Sequence, residues 1–143
     1  MKVAIGADHG GFERKGEVIG QLRAAGHEVK DFGTYTPDSC DYPEIGRSVA
    51  RAVASGEYDR GIVICTTGIG MSIVANKVSG VRCALCGDVT SARLTRLHND
   101  ANVLAMGAAV TGPIITRDIV DVFMNTEFSN EEKHVRRISQ IEE

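Results

Sequence analysis

The chain alternates short, uniformly apolar runs with longer segments whose apolar positions recur every three or four residues. The first pattern is that of strands buried on both faces, the second that of helices packed on one side. KVAIGAD, from Lys2 to Asp8, reads as a strand, and Phe12 to Ala25 as a helix with Val18, Ile19 and Leu22 on one face and Gly26 as its stop. HEVKDFG, from His27 to Gly33, gives a short second strand. TYTPDSCDYPE is a loop punctuated by Pro37 and Pro43, and a helix from about Pro43 to Ala54 follows it. RGIVIC, ending at Cys65, is a third strand; a helix opens near Gly70 and runs to Lys77; VRCALC, from Val81 to Cys86, is a fourth strand. Val89 to His98 is helical, NVLAMG is a fifth strand, Thr111 to Asn125 is a long helix, and Asn130 to Ile141 is a last one. This alternation predicts an α/β fold: a doubly wound, five-stranded parallel sheet with helices on both faces and a C-terminal helix.

Length and composition narrow the function. The 143 residues suit one domain that buries roughly two thirds of its unfolded surface. Charged residues are 24% of the chain and the net charge is −3, without a basic stripe interleaved with aromatics, so a nucleic-acid footprint is missing. No apolar run has the length of a membrane span and the N-terminus lacks a secretory pattern, so the expectation is a soluble, cytoplasmic protein acting on a small molecule or another protein. Cys40, Cys65, Cys83 and Cys86 then read as free thiols. Cys83 and Cys86 form a C-x-x-C, but strand alternation sends positions three apart to opposite faces, which suits two buried thiols better than a redox pair. A zinc site lacks a second pair of ligands at suitable spacing.

Parallel sheets of this kind bind ligands beyond the carboxyl ends of their strands. The residues there are Asp8-His9-Gly10-Gly11, Cys65 to Gly70, Gly87-Asp88 and Gly107. Gly68 and Gly70 make half of a dinucleotide fingerprint, but Ile73 stands where the third glycine belongs. GADHGG lacks the Lys-Ser/Thr pair of a phosphate-binding P-loop. Met71 occupies the place where a cysteine phosphatase needs its arginine. What remains is a thiol near a helix N-terminus, where the helix dipole and unpaired amides favour a thiolate, and where the amides of Thr67 to Gly70 can form an oxyanion hole. Such a pairing suits removal of a proton α to a carbonyl. Cys65 as a small core residue is the competing reading. Further along, His98 is a proton carrier for neutral pH at the end of a helix, or only a favourable charge on its dipole, with Asn99 and Asp100 as cap and turn residues. Lys133, Arg136 and Arg137 lie on the terminal helix, as a solvated face or as cations for an anionic substrate.

Five segments, in order, carry a resemblance: GADHGGF, DYP at Asp41 to Pro43, GIVICTTGIGMSIVANKVSGVR, RLHNDANVLAMG, and the K-H-x-x-R tail at Lys133 to Arg137. Together they resemble type B ribose-5-phosphate isomerase and the related galactose-6-phosphate isomerase subunits, from Lys2 to about Glu142. The resemblance implies a Rossmann-like sugar-phosphate isomerase domain over residues 1–143, forming a homodimer or higher oligomer with active sites at the subunit interface. It implies aldose–ketose interconversion through a cis-enediolate, without metal or cofactor. On this likeness Cys65 moves the proton between the sugar carbons and Thr67 serves the oxygens. His98 opens the ring with Asp8 beside it, and the amides of Gly68, Ile69 and Gly70 hold the enediolate. Tyr42 and Asn99 contact the sugar, and His9, Lys133 and Arg137 take the phosphate. Cys65 argues against the galactose-6-phosphate branch, one of whose subunits lacks the matching cysteine. Three positions depart from the family pattern: Thr66 replaces a glycine, and Ala109 and Lys133 replace arginines. Losing arginine forks leaves the reaction type in place but opens the substrate, with Arg96 and Arg136 as candidate replacements. Ribose 5-phosphate is the expected substrate, and a four- or six-carbon sugar phosphate such as erythrose 4-phosphate or allose 6-phosphate is the alternative. A sugar-phosphate-binding module without catalysis is the reading from a different class.

Overall fold

The computed structural model describes residues Met1–Glu143. Five strands, β1 (Lys2–Ala7), β2 (Glu28–Asp31), β3 (Arg60–Cys65), β4 (Cys83–Leu85) and β5 (Val103–Gly107), form one parallel sheet in the order β2-β1-β3-β5-β4. Six helices accompany it: α1 (Phe12–Ala24), α2 (Tyr42–Ala54), α3 (Ile69–Asn76), α4 (Val89–Asn99), α5 (Pro113–Asn125) and α6 (Glu132–Ile141). A short 3-10 turn, His9–Gly11, links β1 to α1. The doubly wound α/β sheet expected from the apolar runs is the fold observed.

Strand alternation divides the core into two layers. Val3, Ile5, Ala7, Ile62, Ile64, Leu104 and Met106 face one way and pack with α1, α4 and α5 through Val18, Leu22, Ala92, Ile119 and Phe123. Ala4, Val63, Cys65, Val103 and Ala105 face the other way, under α2 and α3, with Val49, Val53, Met71 and Ala75. The strand order reverses between β1 and β3, which pair in parallel from Val3 with Arg60 to Ala7 with Ile64. The carboxyl ends of these two strands are therefore the topological switch point where α/β sheets bind ligands. No helix is long and apolar enough to cross a membrane.

Element ends differ from the sequence reading for identifiable reasons. β4 is an edge strand shortened at its start, because the Val81 amide bonds to the Val78 carbonyl and the Arg82 amide to the Asn102 side chain. The last helix begins at Glu132 rather than Asn130, which sits in the left-handed region at φ 58°. Before α5, Thr111 is drawn into a turn by bonds from its amide and hydroxyl to the Gly107 carbonyl.

Cys83 and Cys86 fall on opposite sides of the sheet, Cys83 against the α2–α3 layer and Cys86 in the other. Burial, reinforced by Cys86, pushes the Cys83 thiol up to about 12; burial, reinforced by Asp88, pushes Cys86 up to about 11. Both stay protonated at neutral pH and are poor nucleophiles. In the folded protein at pH 8, iodoacetamide should modify the partly exposed Cys40 and leave Cys83 and Cys86 intact by mass spectrometry; rapid labelling of that pair, or a disulfide between them, would contradict the assignment.

Candidate active site

The loop after β3 is built by contacts between backbones. Gly68 adopts φ 78°, and a Cβ there would lie 2.7 Å from the Met106 carbonyl carbon and 2.9 Å from the Gly107 amide nitrogen. A Cβ on Gly107 would in turn stand 2.5 Å from the Thr67 carbonyl. Only glycine allows this approach at a left-handed position. The segment after β5 completes the clamp, with the Ala108 amide donating to the Cys65 carbonyl at 2.9 Å and the Ala109 amide to the Thr66 carbonyl at 3.0 Å. Arg14 braces that segment by donating to the Thr111 carbonyl and the Thr116 hydroxyl.

This path turns the Gly68 amide onto the Cys65 sulfur, at 3.1 Å. Cys65 is 5% exposed, so the sulfur belongs to the core layer and also meets the cleft beyond it. Burial in the core layer therefore does not remove Cys65 from the cleft lining. The Ile69 amide donates to Thr67 Oγ1 at 3.3 Å. The amides of Gly68 and Ile69 are thus engaged by Cys65 and Thr67, while those of Gly70 and Met71, at the start of α3, are not taken up by any earlier carbonyl.

The cleft has a volume of about 380 Å³ and is lined by Asp8, Tyr42, Cys65, Thr66, Thr67, Ile69, Gly70 and Ile73. Asp8, Tyr42, Cys65, Thr67, Ile69 and Gly70 among them are the site residues expected from the sequence. Asp8, 5% exposed, is held by the Gly10 amide on its Oδ1 at 2.9 Å. The Tyr42 ring rests against the bare Cα of Gly70. His9, exposed next to Asp8, accepts the Cys40 amide on its Nδ1 at 3.2 Å, which leaves the ring proton on Nε2. Thr66 packs over Gly10 and adds a wall to the cleft.

His98, Asn99, Lys133 and Arg137 form a second group elsewhere. The His98 and His134 rings stack, with centroids 4.4 Å apart and planes at 18°. Lys133 is paired with Glu131 at 3.1 Å, and this partner holds the Glu131 carboxyl below its ordinary range. The Asn99 carbonyl accepts from Arg82 Nε at 2.8 Å; Arg82 also bonds to the Asp100 carbonyl and to Glu142, tying α4 to the end of α6. Asp100 itself is the left-handed cap of α4 at φ 45°. Asn102, just beyond, accepts from the Gly61 amide at the amino end of β3. The two groups therefore lie toward opposite ends of the sheet, with the run from Gly61 to Cys65, about 13 Å of strand, between them. One chain does not bring His98 to Cys65. A larger cavity of about 680 Å³ lies on this second side, along the β4 edge between Arg82, Leu85, Asn99 and Ile141.

Arg96 does not serve as a replacement phosphate cation. It is 2% exposed and its guanidinium is used by the carbonyls of Thr126 and Ala101 and by the Asp100 carboxylate. Arg136 remains exposed on α6. The sequence reading missed Arg82 and His134. Arg82 is a lone cation in an apolar run and gives no signal, and the tail containing His134 was read for its cations.

Comparison with known proteins places the sequence and the fold. A family model described as Ribose/Galactose Isomerase matches residues 3–141. A putative sugar phosphate isomerase, YwlF, of Bacillus subtilis is 49% identical over 99% of this chain and 95% of its own length. Ribose-5-phosphate isomerase B of Escherichia coli is 44% identical, covering 98% and 93%. The structure of Clostridium thermocellum ribose-5-phosphate isomerase B superimposes with a TM-score of 0.97 at 51% identity, over 99% of this chain and 95% of that one. Other relatives are a galactose-6-phosphate isomerase subunit LacB of Clostridium acetobutylicum, 39% identical over 100% of this chain and 83% of its own, and a D-erythrulose-4-phosphate isomerase of Pectobacterium atrosepticum, 40% identical over 90% and 85%. With the family model matching residues 3–141 and the fold shared over nearly the whole length, the chain belongs to the ribose/galactose isomerase family.

Proposed function

We propose that the protein interconverts ribose 5-phosphate and ribulose 5-phosphate, with the Cys65 cleft as the site of proton transfer. The observation that carries the reading is the Cys65 sulfur, set at a strand end under the Gly68 amide and beside Thr67. A thiolate there takes the C2 proton of the open-chain aldose, leaving the electron pair in a cis-enediolate, and the resulting thiol returns a proton to C1. The Thr67 hydroxyl moves the proton between the two sugar oxygens. The unengaged amides of Gly70 and Met71 supply donors to the charge that develops on them. His98 is assigned to ring opening, with Asp8 on the facing wall and Tyr42 and Asn99 against the sugar. His9 Nε2, Lys133 and Arg137 are assigned to the phosphate. Ribose 5-phosphate is favoured because relatives named ribose-5-phosphate isomerase B, at 44% and 51% identity, resemble this chain more than those named for other sugars, at 39% and 40%; the erythrulose-phosphate and LacB relatives keep the four- and six-carbon sugars as alternatives.

The separation of the two residue groups supports a site completed by a second copy. In a symmetric dimer each site would take Cys65 from one chain and His98 from the other. The cavity along β4, with Leu85 and Ile141 exposed at 45% and 60%, offers a surface on which the second chain can dock.

A panel of four-, five- and six-carbon aldose phosphates tests the activity. Ribose 5-phosphate should give the highest kcat/KM, and Cys65→Ala should lower kcat by about 10²–10⁴-fold or more; a best substrate of another length would overturn the sugar assignment. The shared site has its own test. Cys65→Ala and His98→Asn chains, each nearly inactive, should on refolding together recover about a quarter of native activity, since about half of the dimers are mixed and each of these has one intact site. No recovery would mean that both residues serve from the same chain.

A further inference from the structure

We propose that His134 is a positioning residue for His98: its ring, stacked on the His98 imidazole, fixes the plane in which that imidazole meets the sugar. This rests on the ring-opening reading of His98 given above. The two residues are 36 positions apart in the sequence, one in the last turn of α4 and the other in the first turn of α6. Their rings lie 4.4 Å apart at 18°, and His134 is 6% exposed although Lys133, Val135, Arg136 and Arg137 around it are all exposed.

The need for such a contact follows from histidine's own geometry. Proton transfer runs in the plane of the ring, along the lone pair or N–H of one nitrogen, so a tilt of the plane misaims the transfer. The torsion that sets this plane joins an sp³ to an sp² carbon and has no narrow well. A flat neighbour held by a separate helix supplies the missing restraint, at the separation usual for stacked rings. Arg82 supports the same arrangement from the other end of α6, since it bonds Glu142 and the carbonyls of Asn99 and Asp100 together.

His134 is also suited to be a neutral partner. Burial is the main cause that holds its protonation below the ordinary histidine range, and the positive charges of His98, Lys133 and Arg137 act in the same direction against Glu131 alone. Its proton uptake is thus weaker in the folded than in the unfolded chain. The stability this contributes is present above about pH 6.5 and declines as the pH falls below it. The lowered pKa favours an uncharged His134 ring in the stack against His98.

The test separates positioning from simple packing by using His134→Ala, which removes the ring, and His134→Phe, which keeps a flat ring without nitrogen. Two substrates are compared: ribose 5-phosphate, which cyclises, and erythrose 4-phosphate, whose phosphate blocks the furanose. His134→Ala should lower kcat on the five-carbon sugar by on the order of tenfold more than on the four-carbon one, and His134→Phe should recover most of the difference. In parallel, NMR of the histidine ring protons should show the His98 signals losing their ring-current shift in His134→Ala and regaining one in His134→Phe. Equal losses on both sugars, or His98 signals that do not move in His134→Ala, would overturn the proposal. If native protein isomerises neither sugar, the activity reading fails, and the ring-proton spectra alone decide whether His134 sets the His98 plane.

Discussion

Everything at the Cys65 end of the molecule depends on one backbone contact, the approach of the Thr67–Gly68 peptide to Met106 and Gly107. With side chains at either glycine the strand end and the loop cannot meet, since the added atoms would fall within 3 Å of the opposing backbone. Because they do meet, the chain leaves β3 at Cys65, turns through a left-handed residue and enters α3 within four positions. That turn has a chemical product. It aims one amide at the sulfur and leaves the next free amides of α3 at the edge of the same cleft. The reactive geometry is therefore a property of the sheet's β3–β5 pairing rather than of any single side chain.

The parallel topology also imposes a separation. Loops that follow strands gather at one end of the sheet, and loops that follow helices gather at the other. Cys65, Thr67 and Asp8 follow strands; His98 and Asn99 end a helix. No rearrangement of side chains within one chain closes a distance of about four residues of strand. A chemistry that needs both groups must borrow one of them, which links the activity proposed here to assembly. In the same way α6 packs on the end of α4 and brings the His134 ring onto His98.

Much of this was legible in the sequence. Apolar runs such as AIGA, RGIVIC and NVLAMG are readable because each lies between two covered faces, and they mark the three central strands β1, β3 and β5, whereas the edge strand β2, EVKD, alternates between exposed and half-buried positions and carries a weaker signal. Asp8, Cys65, Thr67 and Gly70 could be selected because the strand-end rule ties position in the chain to position in space. Three features could not be read. The direction of the Gly68 amide depends on a contact with β5, 39 residues later. The use of Arg96 inside the fold, where it meets Thr126, Ala101 and Asp100, looks in the sequence like any cation on a helix. The His98–His134 stack joins two helices with no shared pattern, so spacing within either one carries no trace of it.

The central claim is that the Cys65 sulfur carries the carbon-bound proton. It is tested most directly by incubating ribose 5-phosphate in deuterated water with native protein and with Cys65→Ala, and reading deuterium at C2 of the recovered aldose by NMR. The native protein should introduce the label, and the alanine variant, with its melting temperature retained, should not. Label entering C2 at a comparable rate in Cys65→Ala would contradict the account.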